Sequence, residues 1–363
     1  MRISFVIDDL SQGGAQKMMA FVISAVSEIA EEIVVVLRDK GKIEYELPDN
    51  VRFLYMVQPS KKSRIKRIND IRCMLSYSKQ LVNIVKSEKI NIVCVFGYYY
   101  ATVAALAKKR SKVKVIGSER RSPMDLNMFW RNVSKISYAA CDKMVFQVEG
   151  ARAYYNFSQK KAVIIPNPYI SAYAYSKPCN TAERKKTIIL AAARLEYEKG
   201  FDIGIRAMRL IAKKKPEYKL LIYGHGDFEK MYGKLIDELG LREYVIYKGL
   251  SKRIIDDIYD AGVFVLPSRS EGIPNMLLEA MGAGLPCVAA DCNPGGPRML
   301  IGNNERGILV KMGDYEETAN MVVKLLDDEK LAERYAQAAM SVKDIYAKEK
   351  IEKCWREIFL SLY

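Results

Sequence analysis

The chain has 363 residues, of which half are apolar and 28% are charged. This composition is globular, excludes a disordered or fibrous protein, and suits two domains better than one core. The seven cysteines are an odd number and include no Cys-x-x-Cys pair. They argue against a disulfide framework or a zinc site and favour a reducing compartment.

The net charge of +15 is unevenly distributed along the chain. Residues 1–180 contain 29 basic and 15 acidic side chains, whereas residues 181–363 contain 29 and 28. We therefore expect the first half to face an anionic partner, either a membrane surface or an acidic substrate. The densest basic run lies among isoleucines at helical spacing and consists of Lys61, Lys62, Arg64, Lys66, Arg67 and Arg72. It predicts either an amphipathic helix on anionic lipid or the solvated basic face of an ordinary packed helix.

No segment predicts a signal peptide or a membrane span. The first apolar run is interrupted by Asp8 and Asp9, which is too early for a signal peptide. The apolar segment Ile92–Ala107 has sixteen residues, fewer than the roughly 20 that a span requires, and we interpret it as a buried strand entering a helix. The sequence thus predicts a cytoplasmic protein, either soluble or peripheral on the inner face of the cell membrane.

Short apolar runs alternate with longer helical patterns in both halves of the chain. In the first half the predicted strands are Ile3–Ile7, Ile33–Leu37, Ile92–Phe96, Val113–Ile116, Met144–Gln147 and Val163–Ile165. In the second half they are Ile188–Ala193, Lys219–Tyr223, Tyr244–Lys248, Val263–Pro267 and Pro286–Ala290. The clearest helices between these strands are Phe201–Lys214, Asp227–Leu239, Asn275–Gly282 and 316–340. Continuous apolar strands separated by helices predict α/β domains with parallel sheets covered on both faces.

The pattern predicts two doubly wound, Rossmann-like domains. The first spans residues 1–166, and a proline-containing, polar linker follows at residues 167–186. The second domain spans residues 187–340, and a final helix covers residues 341–363. Because ligands of open parallel sheets bind beyond the carboxyl ends of the strands, the residues that follow each strand are the candidates for function.

Two cations and a glycine turn follow the first two strands of the second domain. Arg194 stands where a strand stops, and Lys199 precedes the next helix. Together they form a candidate pyrophosphate clamp at a helix N-terminus, although taken alone they could be surface loop residues. Gly226 belongs to a Gly-x-Gly turn that contains His225, the only histidine of the chain. General acid–base chemistry by histidine must use that residue or none.

The strongest candidate site is the segment SEGIPNMLLEAMGAGLP. Glu271 lies in the loop after a strand, and Glu279 lies inside the following helix with seven residues between them. The start of that helix offers backbone groups to a ligand from Ile273, Pro274, Asn275 and Met276. Two carboxylates in this arrangement can accept hydrogen bonds from two parts of one polyhydroxyl ligand. Glu279 lies among apolar residues of this helix, where a carboxylate without partners would be destabilising, so a purely structural role explains it poorly.

In the first domain the paired glycines Gly13 and Gly14 follow the first strand and let backbone approach a phosphate or a sugar. They do not form Gly-x-Gly-x-x-Gly, so a nicotinamide dinucleotide site is not supported. The chain also lacks a P-loop motif and an Asp-x-Asp triplet, the usual sign of a metal-bridged sugar nucleotide.

Taken together, the Gly-Gly-Ala-Gln loop, the two cations, the Gly-x-Gly turn and the Glu-x7-Glu segment resemble the family 4 glycosyltransferases. The resemblance implies the GT-B fold, two Rossmann-like domains facing each other across a cleft, and a retaining, metal-independent hexosyltransferase. It implies that residues 1–166 bind the acceptor and residues 187–340 bind the nucleotide sugar. It implies that Arg194 and Lys199 neutralise the donor pyrophosphate, that Glu279 holds the ribose, and that Glu271 with the backbone of residues 273–276 holds the donor sugar. Gly13, Gly14 and Gly226 would lie near the donor. Gly249 and Leu250 would lie near its base.

By this resemblance the partners are a UDP-sugar and a glycan or lipid-diphosphate-linked acceptor of bacterial cell-surface polysaccharide synthesis. No cofactor and no nucleic acid are expected, and the C-terminal helix would cross back to the first domain. The segment Ser118–Pro123 (SERRSP) partly resembles a stretch of bacterial polysaccharide members. Two alternatives from the sequence are a sugar-nucleotide epimerase of the same fold and, because of the pI near 9.3, a nucleic-acid-binding protein.

Overall fold

A computed structural model describes residues 1–11, 13–59, 65–170 and 175–363, without the side chain of Ala193. The chain forms two compact units. The first unit comprises Met1–Asn167 and Glu349–Tyr363, and the second comprises Pro168–Lys348. The segment predicted as a linker therefore belongs, from Pro168 onward, to the second unit. Each unit contains one parallel sheet with helices, as predicted from the alternating pattern.

The first unit contains a seven-stranded sheet in the order β3-β2-β1-β4-β5-β6-β7, in which every pair is parallel. Its strands are β1 (Arg2–Ile7), β2 (Glu32–Leu37), β3 (Val51–Tyr55), β4 (Ile92–Phe96), β5 (Lys114–Glu119), β6 (Lys143–Phe146) and β7 (Ala162–Ile164). Its first five helices are α1 (Gly14–Val26), α2 (Lys66–Ser87), α3 (Gly97–Ser111), α4 (Met128–Ala140) and α5 (Glu149–Tyr155). The central strands are buried along almost their whole length because they are apolar on both faces.

The apolar segment Ile92–Ala107 forms β4 and the first part of α3, as the sequence predicted. Strand β3 was not predicted, because this edge strand is only half buried and its pattern is irregular. Among the residues that the structure describes, no helix is both long enough and apolar enough to cross a membrane.

The second unit contains a six-stranded parallel sheet in the order β10-β9-β8-β11-β12-β13. Its strands are β8 (Lys185–Arg194), β9 (Lys219–His225), β10 (Val245–Gly249), β11 (Ala261–Leu266), β12 (Cys287–Asp291) and β13 (Ile308–Lys311). Its helices are α6 (Phe201–Lys214), α7 (Lys234–Leu239), α8 (Ile254–Ile258), α9 (Asn275–Gly282), α10 (Gly296–Ile301), α11 (Tyr315–Asp327), α12 (Glu329–Ala339) and α13 (Val342–Ile345).

One predicted helix of this unit is wrong, and a second is confirmed with a different kind of first turn. The single helix expected over residues 316–340 is broken at Asp328, whose carboxylate accepts the backbone N–H of Leu331 at 2.9 Å and so begins α12. The helix expected over Asp227–Leu239 is a π-helical turn at Glu229–Gly233 that continues into α7. At Asp328 the short polar side chain forms a hydrogen bond with the backbone and thereby competes with a continuous helix.

The last helix, α14 (Lys348–Leu360), packs in the first unit. The Trp355 ring is fully buried and stacks with Phe96 at a centroid distance of 6.2 Å, and Phe359 lies 6.0 Å from Phe5. The sequence predicted one helix over residues 341–363. In the structure the short helix α13 belongs to the second unit, and the chain returns to the first unit at Glu349.

Candidate active site

Two loops meet at the carboxyl ends of β8 and β11. Gly200 ends the loop after β8 with a φ of 66°, in the left-handed region that favours glycine. A Cβ at this position would lie 2.1 Å from the carbonyl oxygen of Pro267, just beyond β11, so only glycine allows this approach. The contact brings Lys199, the preceding residue, to the loop that carries Glu271.

Lys199 and Glu271 form a two-oxygen ion pair. The Lys199 Nζ atom lies 2.9 Å from Oε1 and 3.1 Å from Oε2 of Glu271. The Glu271 side chain is only 10% exposed, whereas that of Lys199 is 27% exposed. The Ser268 hydroxyl donates to Oε1 at 2.9 Å, and the Glu271 backbone N–H donates to the carbonyl of Asn293 at 3.1 Å. A largely desolvated carboxylate is thus held in one orientation by charge-assisted hydrogen bonds.

A second ion pair, which the sequence analysis missed, joins the loop after β11 to the first turn of α6. Arg269 donates from Nη1 and Nη2 to the carboxylate of Asp202 at 2.8 and 2.7 Å, and its backbone N–H donates to the carbonyl of Glu198 at 2.7 Å. Burial alone would raise the pKa of Asp202, but the hydrogen bonds and charge of Arg269 outweigh it and hold that pKa below its ordinary value. The Arg269 guanidinium also lies 4.0 Å from the centroid of the Tyr197 ring. No local motif links these residues, so only the fold shows the pairing.

Arg194 is the last residue of β8 and pairs in register with His225, the last residue of β9. Its side chain is 65% exposed, and its Nε atom lies 3.2 Å from Glu196. Such an exposed pair contributes little to stability, so the guanidinium remains available to an anion. The expected position of Arg194 at a strand end is confirmed.

The Gly-x-Gly segment lies at the end of β9: Gly224 and His225 are the last residues of the strand, and Gly226 follows it. The Tyr247 hydroxyl donates to the carbonyl of Gly224 at 2.7 Å and also lies 3.3 Å from that of Gly226. A Cβ on Gly226 would lie 2.9 Å from Cβ of Leu195, the residue after Arg194. The turn after β9 is therefore packed directly against the loop after β8.

Leu250 and Gly226 line different depressions of the second unit. Gly249 ends β10 with a φ of 71°, and Leu250 is 60% exposed. Leu250 lines a groove of about 740 Å³ that also includes Lys185 and Tyr223. Gly226 instead lines a depression of about 470 Å³ beside Phe228 and Arg242. Hence the structure does not gather all the residues expected near the donor into one depression.

Helix α9 presents the remaining residues of the strongest motif. Pro274 is its N-cap and provides no side-chain cap, Ile273 is buried, and Asn275 and Met276 form the first turn. Pro274 has no N–H, so the amide donors of this segment are those of its neighbours. Glu279 is partly exposed, whereas Leu278 and Ala280 beside it are buried.

Gly13 and Gly14, the paired glycines, belong to the first unit. Gly14 begins α1, and Gly13 contacts the hydroxyl of Tyr45 through its N–H at 3.3 Å and its carbonyl at 3.2 Å. Gln12, the residue before these glycines, lies outside the described residues. Tyr45 is a further residue that the sequence analysis missed.

Half of the predicted basic run can be located on the structure. Lys61, Lys62 and Arg64 lie outside the described residues, whereas Lys66, Arg67 and Arg72 lie exposed on α2. Apolar side chains on the same helix are also exposed, at 43% for Ile68 and 49% for Leu75. The N-terminal half of α2 therefore presents basic and apolar side chains to solvent.

Comparison with known proteins finds a family match in the second half of the chain and relatives over its whole length. Residues 176–342 match the family model described as Glycosyl transferases group 1. Over nearly its whole length the chain is similar to the amylovoran biosynthesis glycosyltransferase AmsD of Erwinia amylovora, at 25% identity covering 98% of this chain and 99% of that protein. It is also similar to N-acetylgalactosamine-N,N'-diacetylbacillosaminyl-diphospho-undecaprenol 4-alpha-N-acetylgalactosaminyltransferase of Campylobacter jejuni, at 26% identity covering 97% of each chain.

Solved structures show the same fold at low identity. Sucrose-phosphate synthase from Thermosynechococcus elongatus superposes with a TM-score of 0.81 at 17% identity, over 99% of both chains. HepE from Anabaena, in complex with UDP and glucose, superposes with a TM-score of 0.79 at 17% identity, over 99% of this chain and 100% of that one. The fold is therefore GT-B, as expected from the sequence. The protein is a glycosyltransferase, and residues 176–342 form the part that matches the group 1 family.

Proposed function

We propose that this enzyme transfers a sugar from a UDP-sugar, with retention at the anomeric carbon, to a hydroxyl of a glycan or lipid-diphosphate-linked acceptor in bacterial cell-surface polysaccharide synthesis. The observation that carries the proposal is the Lys199–Glu271 pair at the strand ends, next to the helix that bears Glu279. The names of two relatives support the acceptor class, since one acts in amylovoran biosynthesis and the other on a diphospho-undecaprenol glycan.

On the donor side, Arg194 and Lys199 neutralise the diphosphate as negative charge develops on the leaving nucleotide. Glu271 accepts hydrogen bonds from hydroxyls of the donor sugar together with the backbone of Ile273–Met276, and Glu279 accepts those of the ribose. Gly13 and Gly14 bring backbone close to the phosphates. The choice of UDP is supported by HepE, a protein of the same fold whose structure holds UDP and glucose. Gly249 and Leu250 contact the base in this proposal.

The chemical step is a front-face displacement. The bond between the anomeric carbon and the diphosphate oxygen breaks, and the acceptor hydroxyl forms the new bond on the same face. The proton of that hydroxyl passes to the departing phosphate oxygen, so no side chain is assigned as a covalent nucleophile. Two cations supply the charge neutralisation, and we propose that the reaction needs no metal ion.

On the acceptor side, the basic and apolar face of α2 contacts an anionic membrane that holds the lipid-linked glycan. Each basic residue near such a surface contributes roughly 1 kcal/mol of attraction. Exposed apolar side chains beside these charges, such as Ile68 and Leu75, suit insertion among lipid headgroups better than an ordinary solvated face.

The test is a screen for UDP release from UDP-glucose, UDP-galactose, UDP-N-acetylglucosamine and UDP-N-acetylgalactosamine, with and without bacterial membrane lipid. We expect slow release from at least one donor, stimulated by the lipid and unchanged by excess EDTA. ADP-glucose and GDP-mannose serve as matched donors with other bases. Absence of release from every UDP-sugar would overturn the proposal, and loss of activity in EDTA would overturn its metal-independent form.

A further inference from the structure

His225 is the only histidine of the chain, and the proposed function gives it no role. It ends β9 and pairs in register with Arg194, the last residue of β8. Neighbouring strands lie about 4.8 Å apart, so the two side chains leave the sheet close together. His225 is exposed, and its imidazole makes no bond to any residue that the structure describes. An exposed imidazole and an exposed guanidinium therefore lie side by side at these strand ends.

Hydrogen bonds hold the backbone of His225 and of both its neighbours. The His225 carbonyl accepts the backbone N–H of Leu195 at 2.9 Å. The Tyr247 hydroxyl donates to the carbonyl of Gly224 at 2.7 Å and lies 3.3 Å from that of Gly226. These partners come from the loop after β8 and from β10, the strands on either side of β9. The imidazole is thus attached to a segment whose position is held from both sides, as a residue that orients a ligand requires.

The strand order places His225 between the groups assigned to two parts of the donor. Strand β9 lies between β8 and β10. In the proposed function Arg194, at the end of β8, binds the diphosphate, and Gly249, at the end of β10, contacts the base. The end of β9 is therefore nearest to the part of the nucleotide that joins these two groups, which includes the phosphate attached to the nucleoside. A protonated imidazole donates charge-assisted hydrogen bonds to phosphate oxygens.

We infer that protonated His225 binds the donor diphosphate beside Arg194 and strengthens donor binding as the pH falls, with Tyr247 as its positioning residue; this inference rests on the proposed function. Histidine is the side chain that ordinarily changes charge between about pH 5 and about pH 8. Because the protonated imidazole binds the anion better, donor binding takes up protons and the affinity is highest at the acid end of this range.

The residues around His225 do not provide a second source of such a pH dependence. The other titratable groups on the neighbouring segments of β8, β9 and β10 are those of Arg194, Glu196, Asp227, Tyr247 and Lys248. Guanidinium, ammonium, phenol and carboxylate groups do not ordinarily change charge in this range.

A role for His225 as a general base predicts the opposite sign. A base must be neutral, so its contribution would be lost as the pH falls. The adjacent guanidinium favours the anion-binding role, because two neighbouring cations match the two phosphates of one diphosphate. The direction of the pH dependence therefore distinguishes the two roles.

The experiment is a calorimetric titration of UDP into the full chain between about pH 6 and about pH 8, with the wild type and His225→Gln. The amide of Gln can still donate a hydrogen bond but does not change charge. The terminal phosphate of UDP also titrates, so the quantity compared is the ratio of the affinity at the lower pH to that at the higher pH. We expect this ratio to be about fivefold to tenfold larger in the wild type than in His225→Gln, the effect of one charge-assisted hydrogen bond.

Tyr247→Phe tests the positioning role. It removes the hydroxyl and keeps the ring that stacks on Phe228 at a centroid distance of 4.6 Å. The affinity ratio of Tyr247→Phe should fall towards that of His225→Gln, because the imidazole is no longer held beside Arg194. The matched control is Tyr244→Phe, which removes a hydroxyl just before β10 and should keep the wild-type ratio.

Each outcome decides one part of the proposal. If the wild type and His225→Gln bind UDP with the same affinity ratio, or if the wild type has the smaller ratio, the inference is wrong while the proposed donor site stands. If Tyr247→Phe keeps the wild-type ratio, Tyr247 does not position the histidine. Failure of UDP to bind the wild type at every pH would instead overturn the proposed function and the inference together.

Discussion

The ammonium of Lys199 is bonded to both carboxylate oxygens of Glu271, 72 residues further along the chain. This pair joins the cation assigned to the diphosphate with the carboxylate assigned to the donor sugar. Its geometry depends on Gly200, which lets the loop after β8 touch Pro267. The pair thus places the two charges side by side before any donor binds.

Replacing Glu271 by Gln should lower kcat by about 10- to 100-fold, because a hydrogen bond to a charged group contributes roughly 1.5–3 kcal/mol. The amide keeps the shape of the side chain but loses the charge that orients Lys199. The measurement is steady-state UDP release with the preferred UDP-sugar. Glu305→Gln is the matched control, since the Glu305 side chain is 70% exposed. An unchanged kcat in the Glu271 variant would contradict the role assigned to this carboxylate.

Replacing Lys199 should destabilise the protein more than replacing Arg194. Lys199→Met should lower the free energy of unfolding by about 1–3 kcal/mol, because it leaves the largely buried Glu271 without its partner. Arg194→Met should change that free energy by less than about 0.5 kcal/mol, because the side chain is 65% exposed. Both variants should lose activity. Urea unfolding checks the contrast, and equal destabilisation by the two changes would argue against it.

The strands and the Glu-x7-Glu motif could be predicted because buried parallel strands are continuous apolar runs. Arg194, Glu271 and the start of α9 lie where the sequence placed them, since each follows such a run. The edge strand β13 was not predicted, because only half of its residues are buried and its apolar run is short.

Side-chain pairings could not be predicted in the same way. The partner of Arg269 is Asp202, 67 residues away, and their contact exists only because two loops meet in the folded unit. The contact between the rings of Tyr98 and Trp130 likewise depends on the approach of α3 and α4, so no local spacing indicated it. The sequence therefore predicted which elements carry the candidate site, but not the contacts that orient it.

The Asp202–Arg269 pair should make stability depend on pH in the acid range. The folded-state pKa of Asp202 lies below its ordinary value of 3.8, so its contribution to stability is present above that value and is lost as the pH falls through the folded pKa. Asp202→Asn should therefore destabilise the protein at pH 6 but make little difference at the lowest pH at which it remains folded. Urea unfolding at a series of pH values checks this. If Asp202→Asn lowers the free energy of unfolding equally at every pH, the charge of Asp202 does not contribute to stability.

Replacing Lys66, Arg67 and Arg72 with Gln should weaken binding to anionic vesicles by about tenfold or more, since each basic residue contributes roughly 1 kcal/mol near such a surface. Vesicle sedimentation measures the effect, and added salt should reduce it in the wild type. The control replaces Lys230, Lys234 and Lys252, three exposed lysines of the second unit. Equal losses in both triple variants would indicate a general charge effect rather than binding through α2.

The most direct test of the donor site is a calorimetric titration of UDP into the wild type and into Glu279→Ala, with Glu305→Ala as the control. The proposed function predicts that UDP binds the wild type and the control alike, and that its affinity for Glu279→Ala falls about tenfold or more as the ribose loses its acceptor. Equal affinity in all three proteins would contradict the assignment of this segment as the nucleotide site.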